Sequence, residues 1–158
     1  VATFDLERVP ATDARLARLL QLYVHEWSAR LPIWPGEDGL FRYEELRDWQ
    51  DEHAHEAWLV IDGERRVPAG FALLWRDASA CWQVKEMFVI ASARRHRVGQ
   101  RVAHALFARH PGRWTLTVRP ENPDALAFWR RTVPASAIEA REPGADGVVR
   151  TRFRFESE

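Results

Sequence analysis

Apolar residues recur along this chain with two periods, and each change of period marks an element. Leu16, Leu19, Leu20, Tyr23, Val24 and Trp27 fall at three- and four-residue steps, which lay one apolar stripe along a helix. Pro10 breaks the chain before it, and Thr12 and Asp13 offer an N-cap. The same spacing returns over residues 98–109, where Val98, Val102, Ala105 and Leu106 share a side and Pro111-Gly112 stops the helix. Asn122 as N-cap, Pro123 at the first helical position and Asp124 in the first turn predict another helix running to about Thr132. Residues 41–52 read as a further, acidic helix, separated from the first by a loop with Pro32, Pro35, Gly36 and Gly39.

Between the helical stretches the period shortens. Residues 2–9 can form a strand, and the apolar runs 57–61 and 69–75, parted by the polar stretch 62–68, predict a hairpin that residues 82–90 extend into a meander. Trp114, Leu116 and Val118 alternate with Thr115, Thr117 and Arg119; Val149, Thr151, Phe153 and Phe155 alternate with Arg150, Arg152 and Arg154. The order is strand, two helices, three strands, helix, strand, helix and one or two strands. It predicts a mixed α/β (α+β) fold in one domain over residues 1–158.

With 46% hydrophobic and 29% charged residues and no apolar run near the roughly 20 residues that span a bilayer, the composition is that of a soluble protein with no membrane span. The first ten residues lack the basic start and apolar block of a secretory signal, so a cytoplasmic location is expected. A formal net charge of zero argues against nucleic acid as the partner. The lone Cys81 cannot form an internal disulfide and has no activating charge beside it. Charge is segregated along the chain. Glu37, Asp38, Glu44, Glu45, Asp48, Asp51, Glu52 and Glu56 crowd one region, whereas nine arginines between Arg94 and Arg131 face only Glu121 and Asp124.

The basic region opens with chemistry. Residues 86–101 read as a strand, a short turn with Arg94, Arg95 and Arg97, and a helix start. A helix N-terminus offers unpaired N–H groups and a positive dipole end, and the arginines deepen that site for a phosphate. Gly99 lets a ligand approach the backbone. The competing reading is a solvated basic turn.

Val89 and the stretch from Arg94 to Gly99 resemble the cofactor motif of the GNAT acetyltransferases, in which Gln or Arg, two residues, Gly, one residue and Gly or Ala wrap the pyrophosphate of coenzyme A. Arg97 stands where the first glycine is usual. Asn122, Ala125, Phe128 and Trp129 resemble the family's second segment, in the right order and separation. The likeness covers about residues 82–132 and is nearest to bacterial acetyltransferases of unassigned substrate. It implies a mostly antiparallel sheet flanked by about four helices, with a splay between the strands ending near Ile90 and Val118. It also implies that acetyl-CoA is the acyl donor, that Met87, Phe88 and Val89 meet the pantetheine arm, and that Arg94, Arg95, His96, Arg97, Val98, Gly99 and Gln100 hold the pyrophosphate. Asn122 and Trp129 would flank the arm. Glu86 stands where amine-acetylating members carry an acid facing the acceptor, and it is the candidate catalytic base; structurally, it could instead pair with an arginine.

The resemblance thus implies N-acetyl transfer to a primary amine of a small molecule or peptide, by direct attack in a ternary complex; a homodimer is compatible with it. The family's thiolate-protonating tyrosine would fall at Trp129, and indole is no usable acid. Solvent, Tyr23 or Tyr43 could take that role, or the domain could bind acyl-CoA without turning it over. His53, His55 and Glu56 have metal-like spacing without a fourth ligand, so no metal is expected. Trp34 and Trp49 could line an acceptor pocket beside the acidic stretch, which would favour a cationic amine. A nucleotide site using the same turn would lack a G-x-x-x-x-G-K-[ST] loop, since Lys85 is the chain's only lysine.

Overall fold

Helices form where the apolar stripes predict them. The computed structural model describes residues 2–49, 51 and 53–158, with every side chain among them except those of Asp48 and Arg95. Strand β1 (Phe4–Val9) leads to α1 (Ala14–Ser28), whose N-cap Asp13 accepts from the Arg15 amide at 2.8 Å. Leu16, Leu19, Leu20 and Val24 on α1 are buried. Among the described residues the acidic stretch forms a 3₁₀ turn, Glu44–Asp48, where an α-helix was expected; Gln50 and Glu52 of that expected helix lie outside the described residues. Its first residues are tied elsewhere: the amide and carbonyl of Phe41 bond the side chain of Gln21, each at 2.8 Å.

Strands β2 (His55–Asp62), β3 (Pro68–Arg76) and β4 (Trp82–Val89) form the expected meander. Helix α2 (Val98–Arg109), β5 (Gly112–Val118) and α3 (Pro123–Thr132) follow, then β6 (Ile138–Pro143) and β7 (Val149–Ser157). The seven-stranded sheet has the order β1-β2-β3-β4-β5-β7-β6. All pairings are antiparallel except β4 with β5, which run parallel and pair only at Trp82–Trp114, Gln83–Thr115 and Val84–Leu116. Beyond Val84 the two strands part, which is the expected splay.

Both faces of the central strands β2, β3 and β4 are covered. Leu59, Phe71, Leu73 and Phe88 pack with α1 and Trp49 on one face; Trp58, Val60, Ala72, Leu74 and Val89 pack with α2 and α3 on the other. Central strands buried on both faces read as continuous apolar runs, as β2 and β3 do. On the α2 side a polar group is enclosed: Glu56, 7% exposed, accepts from Trp58 Nε1 at 2.7 Å and lies 2.9 Å from His110 Nε2. His55 stacks on Trp75 and tilts against Trp49 instead of joining Glu56. No helix among the described residues is long and apolar enough to cross a membrane.

One irregularity decides where the chemistry points. Leu73 pairs with Glu86 but Leu74 pairs with Val84, so Lys85 is an extra residue in β4. Alternation along a strand reverses across such a bulge. Trp82 and Val84 therefore face α2, while Glu86, two residues on, faces α1 with Phe88.

Candidate active site

The splay opens into a cleft of about 590 Å³ bounded by β4, α1, α2 and α3. Met87, Phe88 and Val89 line it from β4, and Ala125 and Phe128 from α3. On the β5 side the backbone of β4 has no ladder partner past Val84 among the described residues. A strand edge of this kind offers amide and carbonyl groups to an extended ligand.

One end of the cleft suits an anion. Arg97 caps α2 in the left-handed conformation, φ 53° and ψ 27°, and makes no side-chain cap bond. An arginine thus adopts the backbone geometry that a glycine would take without strain. The first turn of α2 thus receives no side-chain acceptor from its N-cap residue. Gly99 serves packing as well as access: a Cβ there would stand 3.3 Å from the Phe128 ring. Among the described residues the arginines lining the cleft are Arg30, Arg94, Arg97 and Arg131. Arg94 is engaged, donating from Nε to the Val89 carbonyl at 2.7 Å and pairing with Glu26 at 2.6 Å. Arg30 pairs with Asp124 at 3.2 Å and donates to the Glu121 carbonyl. Arg97 and Arg131 have no carboxylate partner among the described residues, which leaves two cations and a helix N-terminus facing the same space.

Near the other end stands Glu86, directly before the cleft-lining run Met87–Val89. Its carboxylate accepts from the Tyr23 hydroxyl through one oxygen and from the Tyr43 hydroxyl, at 3.1 Å, through the other. Burial lifts the Glu86 carboxyl to about 7; the two tyrosines oppose the rise, Glu45 reinforces it and Lys85 weakens it. Burial and then the Glu86 charge hold both phenols well above their ordinary range. A carboxyl near 7 can both take and return a proton at neutral pH.

The structure brings Glu86, Met87, Phe88, Val89, Arg94, Arg97, Gly99, Gln100 and Asn122 to this cleft or its wall. Asn122 spends its Oδ1 on the Ala125 amide at 3.1 Å, capping α3. Val98 is buried in the core, and Trp129, 8% exposed, packs edge-on to Phe128 rather than lining the cleft. His96 is exposed outside the lining, and the Arg95 side chain lies outside the described residues. Trp34 is 84% exposed, and Trp49 is buried beside α1. Sequence reasoning did not assign Glu26, Trp27, Arg30 and Arg131 to the site; Arg131 was at least marked by the basic region it closes. Among the described residues no cluster suited to a metal ion is formed.

The model of the acetyltransferase (GNAT) family matches residues 16–133. The chain belongs to the GNAT acetyltransferases. Solved structures of this fold cover almost the whole chain. An acetyltransferase from Thermus thermophilus superposes with a TM-score of 0.72 at 17% identity, covering 98% of this chain and 97% of its own. A GNAT-family acetyltransferase from Staphylococcus aureus gives 0.69 at 12%, covering 99% and 100%. A spermidine N-acetyltransferase from Vibrio cholerae, solved with CoA and spermine, gives 0.65 at 12%, covering 98% and 95%. No curated protein matches the chain. GNAT acetyltransferases use acetyl-CoA, and the chain is a transferase of that kind.

Proposed function

We propose that this GNAT protein, acting as one domain in the cytoplasm, moves an acetyl group from acetyl-CoA to a primary amine by direct attack in a ternary complex. The observation that carries this reading is the bulge at Lys85, which aims Glu86 at two tyrosine hydroxyls beside the cleft. The donor fits the residues present. Its pyrophosphate meets the first turn of α2 and Arg97, which has no carboxylate partner among the described residues; Arg94 and Arg131 supply further cations, and residues 95 and 96 belong to the same turn. The backbone of Met87, Phe88 and Val89 takes the pantetheine amides along the open edge of β4, with the Asn122 amide group opposite and Trp129 backing Phe128. Glu86 then takes the proton that the amine sheds on attacking the thioester.

The acceptor end carries Glu86, Glu45 near it, and the rings of Tyr23, Trp27 and Tyr43. Paired carboxylates among aromatic rings favour a cationic amine on a small molecule or peptide. The Vibrio neighbour holds spermine, which agrees with that class.

A second reading, an acyl-CoA-binding domain without turnover, draws on the indole of Trp129. Isothermal titration with acetyl-CoA, followed by CoA-release assays over a panel of amines, separates the two. Arg97→Glu and Gly99→Trp are expected to abolish binding. Glu86→Gln is expected to bind normally and lose about 100-fold or more in kcat. Acetyl-CoA binding without amine-dependent release would favour the second reading, and absence of binding would overturn both.

A further inference from the structure

The acetyl-transfer reading gives a base for the amine but leaves the departing sulfur without a proton. Trp129 cannot provide one, because an indole N–H is far too weak an acid. Within the cleft the choice narrows by chemistry. Glu26 and Asp124 are engaged by Arg94 and Arg30, at 2.6 Å and 3.2 Å, and an arginine keeps its protons at neutral pH. The Thr132 hydroxyl, an alkanol, already donates to the Phe128 carbonyl at 2.7 Å. No histidine, cysteine or lysine lines the space among the described residues. One phenol does, Tyr23.

Tyr23 is also fixed in place. Its ring meets Phe71 edge-on at 5.6 Å between centroids, Phe88 at 5.9 Å and Trp27 at 6.4 Å. Such contacts fix the ring of a residue that lines the cleft together with Met87, Phe88 and Val89 and whose hydroxyl is bonded to Glu86. Tyr43 reaches the other oxygen of Glu86 but is not among the cleft's lining residues. The two tyrosines are therefore not equivalent.

We propose that Tyr23 is the acid that protonates the CoA sulfur, resupplied by Glu86, while Tyr43 only holds the Glu86 carboxylate. This rests on the acetyl-transfer reading above. The neutral amine nitrogen attacks the thioester carbonyl, so that a C–N bond forms as the C–S bond breaks. The surplus proton on nitrogen passes to Glu86. Tyr23 gives its phenolic proton to the sulfur and takes the Glu86 proton in return. The products are the amide and CoA thiol, with Glu86 again a carboxylate and Tyr23 again a phenol. One hydrogen bond thus links the two proton transfers.

The test uses the full chain, acetyl-CoA and the amine that turns over fastest in the panel. Tyr23→Phe is expected to lower kcat about 100-fold or more, with KM for acetyl-CoA changed less than about threefold. Tyr43→Phe is expected to lower kcat less than about tenfold. Titration with acetyl-CoA confirms that each variant folds and binds. Replacement of Tyr23 by 3,5-difluorotyrosine, whose phenol is more acidic but nearly the same shape, separates acid from packing: turnover is expected to persist with an altered kcat. Equal effects of the two Phe variants, or a kcat indifferent to fluorination, would overturn the assignment. If the unaltered chain releases no CoA with any amine, the parent reading fails and this one with it.

Discussion

Glu26 and Arg94 form an ion pair of 2.6 Å between the last turn of α1 and the turn leading into α2. Arg94 is thereby held by a carboxylate of its own chain at the end of the cleft proposed for phosphate. Both side chains are about half exposed, 47% and 46%, so the pair is worth no more than roughly 0.2–1 kcal/mol. Glu26→Gln removes a negative charge from the anion end and releases Arg94. It is expected to tighten acetyl-CoA about twofold to fivefold by calorimetry. The gain should shrink as salt is raised.

The left-handed Arg97 separates two roles of one residue. Its φ of 53° costs about 1–2 kcal/mol for a residue with a Cβ. Arg97→Gly relieves this and loses part of the gain to the greater freedom of glycine in the unfolded chain. A net gain of about 0.5–1 kcal/mol is expected, or about 2–3 °C in Tm. Arg97→Ala keeps the strained conformation and should not raise Tm. Both variants should weaken acetyl-CoA similarly, because both remove the cation.

Glu86 makes stability depend on pH in a direction opposite to that of a salt-bridged acid. Its carboxyl is raised from 4.5 to about 7 in the folded chain, so folding favours the protonated form. The contribution is fully present below pH 4.5 and is lost as the pH rises through about 7. Glu86→Gln has no charge to bury. Its Tm relative to the unaltered chain is therefore expected to climb between pH 5 and 8, as followed by circular dichroism. A difference that stays flat over that window would mean the carboxyl is not raised. Over the same window, kcat/KM of the unaltered chain should rise as Glu86 ionises.

At Gly70, β3 lies against the backbone of the strand that carries the site. A Cβ at this position would stand 2.2 Å from the Phe88 carbonyl oxygen and 3.1 Å from the Val89 Cα. Backbone atoms cannot step aside as a side-chain tip can. Gly70→Ala is expected to destabilise by about 1–3 kcal/mol in chemical denaturation. It should also weaken acetyl-CoA, because β4 must shift along Phe88 and Val89.

These features differ in how far the sequence disclosed them. The span of α2 and the cap of α3 were legible because Pro111-Gly112, Asn122 and Pro123 act on their immediate neighbours. The divergence of β4 and β5 was implied by the family motifs. Strand β6 was not singled out, since as an edge strand it buries little and shows scant alternation: Ile138 is 66% exposed. The bulge at Lys85 was also hidden, because the run from Trp82 to Val89 looks like one uninterrupted strand. Only the pairing with β3 reveals it. Tyr23 and Tyr43 were named as candidates, but their meeting at Glu86 joins residues 63 and 43 positions apart, which no local pattern encodes.

The parallel contact of β4 with β5 has a mechanical meaning. Three residue pairs are the whole hem between a four-strand panel, β1 to β4, and a three-strand panel, β5 to β7. A hem that short would act as a hinge, with the two panels otherwise joined by the core that Trp58, Ala72 and Leu74 share with Trp114, Leu116, Phe153 and α2. An extended molecule seated in the notch would serve as the missing stitching, bonded to the free edge of one panel and wedged against the other. The two halves of the sheet would then breathe as one body when it is filled and as two when it is empty. Amide exchange in β5 and β7 would slow on loading even though these strands lie on the far side of the hinge.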